Sequence, residues 1–281
     1  MDGGQVEVIP LFPLGTPLFP GVVLPLQVFE PRYRRLMADL TGLPADSEGR
    51  RFGVVAIRQG WEVERVAPAE ALYDVGCTAV LRAVALQPDG GYQVVTVGSD
   101  RFRLLDVLVT EDPPYLQARV EWLDEEEAAE EAAGNADGLV GPDGGLAAAA
   151  DDVAASVARG SLEVLTGNVR DLFARYVTEV TRRQAGASAE ELADLATAGT
   201  EAGSPAAMLQ EVTDDPRGLS YLVASAALLT TEDRQALLAE SATRRRLALE
   251  SRLLRRELVL LRTVGAVPVP LQEFAGPMTP N

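Results

Sequence analysis

Residues 9–37, IPLFPLGTPLFPGVVLPLQVFEPRYRRLM, decide how this chain is read. Val6, Val8 and Leu11 alternate with more polar positions, the pattern of a half-buried strand. Pro10, Pro13, Pro17 and Pro20 each fix φ and remove a backbone donor, so they belong at a strand edge and in tight turns. Pro20-Gly21 is a turn dipeptide. A second apolar run covers Val22 to Phe29, and Pro25 within it calls for an edge or a bulge. Glu30-Pro31 then opens a helix with proline at its first position. Tyr33, Leu36, Met37 and Leu40 give that helix one apolar face. The stretch is two short strands about a proline elbow, followed by a helix.

Further strands follow. RFGVVAI (51–57) is a short buried one, and Thr78 to Leu86 is another. Pro88-Asp89-Gly90-Gly91 turns the chain into an antiparallel return at Tyr92 to Val97. Gly98 to Val107 comes next. From Tyr115 to Leu123, Leu116, Ala118, Val120 and Trp122 alternate with Gln117, Arg119 and Glu121. Residues 124–145, DEEEAAEEAAGNADGLVGPDGG, hold little that could enter a core and read as an acidic, mobile linker. From Leu146 the pattern turns helical. Leu162, Leu165, Val169, Leu172, Phe173 and Tyr176 recur at helical spacing, and a short helix is expected over 188–195. Asp215-Pro216 caps a third helix, and Thr231 starts a fourth. The last, 241–262, is basic, with leucines widening one face. The expected division is a β-rich region over residues 1–123, the linker over 124–145, a helical region over 146–262 and a proline-rich tail over 263–281.

Composition narrows the chemistry. The chain has 281 residues and is 47% hydrophobic, enough for a sizeable core. It contains no histidine, and its 25 basic residues are all arginine. That removes a Ser-His-Asp triad, a Cys-His pair and histidine metal sites. It also removes the P-loop lysine and any Ser-Lys dyad. One cysteine, Cys77, forms no internal disulfide or cysteine metal cage. We therefore expect no catalytic residues, no cofactor and no metal. A net charge of −17 repels phosphate backbones, so nucleic acid is not an expected partner. The longest clean apolar run, residues 222–229, is too short to span a bilayer, and no signal region opens the chain. A cytoplasmic protein with no membrane partner is expected.

The motifs at Pro10–Leu14, Phe19–Gly21 and Pro25–Glu30 resemble the opening of the Lon protease N-terminal, substrate-binding domain. ALYDVG (71–76) and GSDRFRLLDV (98–107) resemble two later segments of that domain, and DDPxxL (214–219) with LTTEDRQALL (229–238) resembles its helical half. The likeness covers most of residues 6–262 and implies a stand-alone bacterial member without the ATPase and peptidase domains. The implied fold is α+β: a compact twisted β-domain of about six strands with one helix, then a helical bundle ending in a long C-terminal helix. The implied role is non-catalytic recognition of extended or partly unfolded polypeptide, in a groove between the β-rich and helical regions. Candidate contacts are Phe19, Pro20, Tyr33, Met37 and Trp61, each of which also suits a purely structural place in the core. The alternative role is an adaptor that docks on a separate protease or chaperone through the basic final helix. The same helix, 241–262, is where a homo-oligomer would form.

Overall fold

A computed structural model describes residues 6–45, 47–58, 69–124, 145–185 and 215–264. The acidic stretch after Asp124, the helix expected over 188–195, Trp61 and the proline-rich tail lie outside the described residues. The chain divides into two units. The first combines residues 1–126 with 231–242, and the second combines 127–230 with 243–281.

The first unit is built on six strands: β1 (Val6–Leu14), β2 (Val23–Val28), β3 (Arg51–Ala56), β4 (Val75–Leu86), β5 (Tyr92–Leu108) and β6 (Gln117–Leu123). Their order is β2-β5-β4-β3-β1-β6, and β5 pairs with β6 as well. That extra pairing closes β1, β3, β4, β5 and β6 into a ring and leaves β2 on the outside of β5. Among these described strands only β1 and β3 pair in parallel. Helix α1 (Pro31–Thr41) joins β2 to the loop before β3 and buries Tyr33, Leu36, Met37 and Leu40. The Phe12 ring stacks on Tyr33 at 4.0 Å and tilts against Phe52 at 5.6 Å. A core of Ile9, Leu11, Val55, Leu72, Phe102, Leu116, Ala118 and Val120 fills the ring.

β5 is one strand of 17 residues where the turn-and-return pattern indicated two segments. Gly98 lets it continue. A side chain there would collide with the carbonyl of Phe19. The Gly98 N–H donates to the Val22 carbonyl at 2.9 Å, and its own carbonyl accepts from Gly21 at 2.9 Å. Gly21 makes the turn with φ 75°. Gly76 does similar work opposite Phe102, whose ring occupies the space a Cβ would need. The family-like segments are thus in contact with one another, and close packing explains their residue types.

The second unit contains α2 (Gly145–Ala185), α3 (Pro216–Ala226) and α5 (Thr243–Val264). Asp215 caps α3 as its residue type demands, its carboxylate accepting from the Arg217 N–H at 3.0 Å. Val169, Leu172, Phe173, Tyr176, Leu219, Val223, Leu247, Leu254, Leu258 and Leu261 form one core. The Tyr176 hydroxyl accepts from the Leu228 N–H at 3.0 Å just past the end of α3.

The helix between α3 and α5 in sequence, α4 (Thr231–Ala239), belongs to the first unit, although its pattern placed it in the helical region. Polar side chains explain its membership. Gln235 donates to the Val75 carbonyl at 2.8 Å. Arg101, 2% exposed, donates to the carbonyls of Leu238 at 2.8 Å and Glu240 at 3.1 Å, capping the C-terminal end of α4. Arg234 reaches the Thr16 hydroxyl at 2.9 Å.

Candidate functional site

Among the described residues β2 pairs on one side alone, with β5. Its register with β5 is uniform from Val23↔Val97 to Val28↔Tyr92. The bond from Gly98 N–H to the Val22 carbonyl sets the phase, so Leu24, Leu26 and Val28 point their backbone polar groups at β5. Val23, Pro25 and Gln27 direct theirs away from it. Pro25 therefore sits where its missing donor costs the ladder nothing, and it thins the free edge to a few usable groups.

Beside this edge lies an apolar hollow of about 290 Å³. Phe12, Pro13, Leu14 and Gly15 from the end of β1 form one wall, with Ile57. Leu26 to Glu30, Arg32 and Tyr33 form the other. Phe29 is 73% exposed, and Val23 nearby on β2 is 55% exposed. The Arg32 guanidinium lies 4.6 Å from the Tyr33 ring centre while its Nε donates to Glu30 at 2.9 Å. Burial pushes the Tyr33 phenol up to about 12, beyond what the neighbouring Arg32 charge offsets, so it remains a neutral hydrogen-bonding group at physiological pH.

A second hollow, about 680 Å³, is lined by Glu7, Glu48, Gly49, Arg51, Asp100, Arg101, Trp122, Leu123 and Asp124. Within it, Arg51 meets Glu7 at 3.2 Å and Asp100 at 3.7 Å, and lies 4.7 Å from the Trp122 ring centre. Among the described residues no group of three or more Cys, Asp or Glu is arranged to hold a metal. Cys77 is fully buried, and burial raises its thiol pKa, which keeps it protonated and unreactive.

Of the five sequence candidates, Tyr33 alone among the described ones lines the apolar hollow. Phe19, 1% exposed, is part of the clip on Gly98, and Met37 is wholly buried beneath α1. Pro20 is half-buried in the turn, and Trp61 lies outside the described residues. Sequence reasoning passed over Phe29, Leu26, Phe12 and Arg32. Phe29 carried a signal: it follows Val23, Pro25 and Gln27 on the outward face of the β2 alternation.

Residues 8–256 match the family model described as the ATP-dependent protease La (LON) substrate-binding domain. The chain belongs to the LON substrate-binding domain family. Lon protease 1 of Herpetosiphon aurantiacus is 26% identical over 260 residues, covering 92% of this chain and 25% of that protein. Lon protease 2 of Sorangium cellulosum is 37% identical over 123 residues, 43% of this chain and 14% of that protein. The chain thus spans about a quarter or less of the curated relatives it matches. The solved N-terminal domain of a Mycobacterium avium complex Lon protease superposes with a TM-score of 0.50 at 18% identity, covering 89% of this chain and 98% of that one. That likeness bears on the α+β fold. No described helix is long and apolar enough to cross a membrane.

Proposed function

We propose that this LON substrate-binding domain holds extended or partly unfolded polypeptide against β2, and that the chain itself neither hydrolyses ATP nor cuts peptide bonds. The observation that carries the reading is the apolar hollow beside a strand edge with which no described strand pairs, in a domain of a substrate-binding family. An added strand would exchange backbone bonds with Val23 and Gln27. Pro25 offers a carbonyl and no donor, so the pairing is short and releases readily. One apolar client side chain would enter the hollow against Leu26, Phe12 and Tyr33, and Phe29 would fold over it. Backbone pairing is indifferent to client sequence, and the hollow selects for apolar side chains, which together suit many unfolded clients. The absence of lysine and histidine from this chain supports the non-catalytic half of the reading.

The test is ATP-independent suppression of client aggregation, with direct binding of a labelled unstructured peptide. Phe29→Ala with Leu26→Ala is expected to weaken binding about tenfold, since an apolar hot-spot contact contributes on the order of 1–2 kcal/mol. Melting should fall only modestly, because Phe29 is largely exposed and Leu26 is half-buried. Undiminished binding by this variant removes the hollow from the function.

A further inference from the structure

We propose that the outer face of α5 docks an acidic amphipathic helix of a partner protein. Seven arginines and two glutamates lie on α5, and the fold sorts them by face. Both glutamates turn inward, Glu250 at 1% and Glu257 at 4% exposure. Arg245, Arg252, Arg255, Arg256 and Arg262 are exposed, and of these Arg256 reaches back to Glu257 at 2.7 Å. Among the described residues no carboxylate lies within ion-pair distance of Arg252, Arg255 or Arg262, and the Arg255 guanidinium meets the Asn168 side-chain oxygen at 3.4 Å. With Val259 these three form one stripe, at successive spacings of three, four and three residues. Val259 is 58% exposed and Leu260, flanking it, 43%.

That layout specifies its occupant. Guanidinium groups recognise carboxylates through paired hydrogen bonds, and an apolar residue set among them asks for an apolar residue opposite. A partner helix with glutamates at the same helical spacing around a leucine satisfies both demands at once. The protein's overall charge of −17 opposes polyphosphate or an anionic bilayer, each of which brings many charges against a broad surface. A single helix footprint is about one Debye length wide, about 8 Å at physiological salt, so the local arginines dominate there. The proposal is independent of polypeptide capture at β2.

The experiment uses the full chain and a labelled synthetic helical peptide with glutamates at i, i+3 and i+10 and a leucine at i+7. Saturable binding that weakens with salt is expected, with a scrambled peptide of equal charge binding at least about tenfold less. R252E/R255E/R262E should abolish it with melting unchanged, and the milder R252Q/R255Q/R262Q should weaken it if the reversal disturbs folding. Equal binding of the scrambled peptide, tighter binding of duplex DNA or phosphatidylglycerol vesicles, no binding at all, or a dimer by light scattering that the triple variant dissolves would each overturn the proposal.

Discussion

In the β-unit, the buried guanidinium of Arg101 donates to the carbonyls of Leu238, Glu240 and Asp124 and to the Ser241 hydroxyl. In the helical unit, the equally buried carboxylate of Glu250 has no hydrogen-bond partner on either oxygen among the described residues. Burial raises its pKa well above the ordinary glutamate range, and the charge of Arg246, one turn earlier, offsets only a fraction of that. Arg246 itself is buried over the Tyr221 ring at 4.0 Å. The two environments put a buried ionisable group to opposite uses. Where the end of a helix supplies unsatisfied carbonyls, a buried cation ties distant segments together. Where apolar helix faces meet, desolvation outweighs the nearby Arg246 charge and favours the protonated form of a buried carboxyl.

Three measurements test that contrast. The largest effect is expected from Arg101→Met, which strips the donor from the end of α4. Hydrogen bonds to charged groups contribute about 1.5–3 kcal/mol each, non-additively, so a loss of about 4 kcal/mol is expected. Calorimetry gives the loss, and hydrogen exchange should show α4 opening first. Retained protection in α4 would mean that its apolar residues Leu237 and Leu238 hold it without the arginine.

Met37→Ala comes next, at about 3 kcal/mol, since the side chain is fully buried beneath α1. It supplies the apolar reference for the two buried charges. Urea unfolding reads this, and client binding per folded molecule should be unchanged. If binding weakens with no loss of stability, Met37 belongs to the site and not to the core.

The smallest effect is expected from Glu250→Gln. A carboxyl whose folded pKa exceeds its unfolded value contributes fully below the unfolded value, and the contribution is lost as pH rises through the folded one. The helical unit should therefore weaken as pH climbs above the ordinary glutamate range. Glutamine mimics the protonated state, so it should flatten that slope and add about 1 kcal/mol near pH 8. A variant whose urea midpoint tracks wild type at every pH would show that Glu250 stays ionised and partnered by Arg246.

Much of the fold was legible residue by residue. The Pro20-Gly21 turn, the proline at the start of α1, the Asp215 cap and the alternation of β6 are local features, set by φ restriction, orphan helix donors and the two-residue period of a strand. The site was less legible. Phe19, Tyr33 and Met37 are apolar and well spaced, which marks them as facing something. Spacing does not distinguish a core from a groove.

From the sequence came the elements, the exclusion of histidine- and lysine-based chemistry, and the family resemblance that residues 8–256 bear out. Tertiary packing settled which apolar residues stay buried, that β5 runs unbroken past Phe19, and that α4 belongs to the same unit as the strands. It also turned the glutamates of α5 inward and left five of its arginines exposed. The physical reason is the same in each case. Periodicity and capping depend on residues within a turn or two of one another, whereas burial depends on what a face meets, and the partners here lie tens to more than a hundred residues away, as Arg101 and Leu238 do.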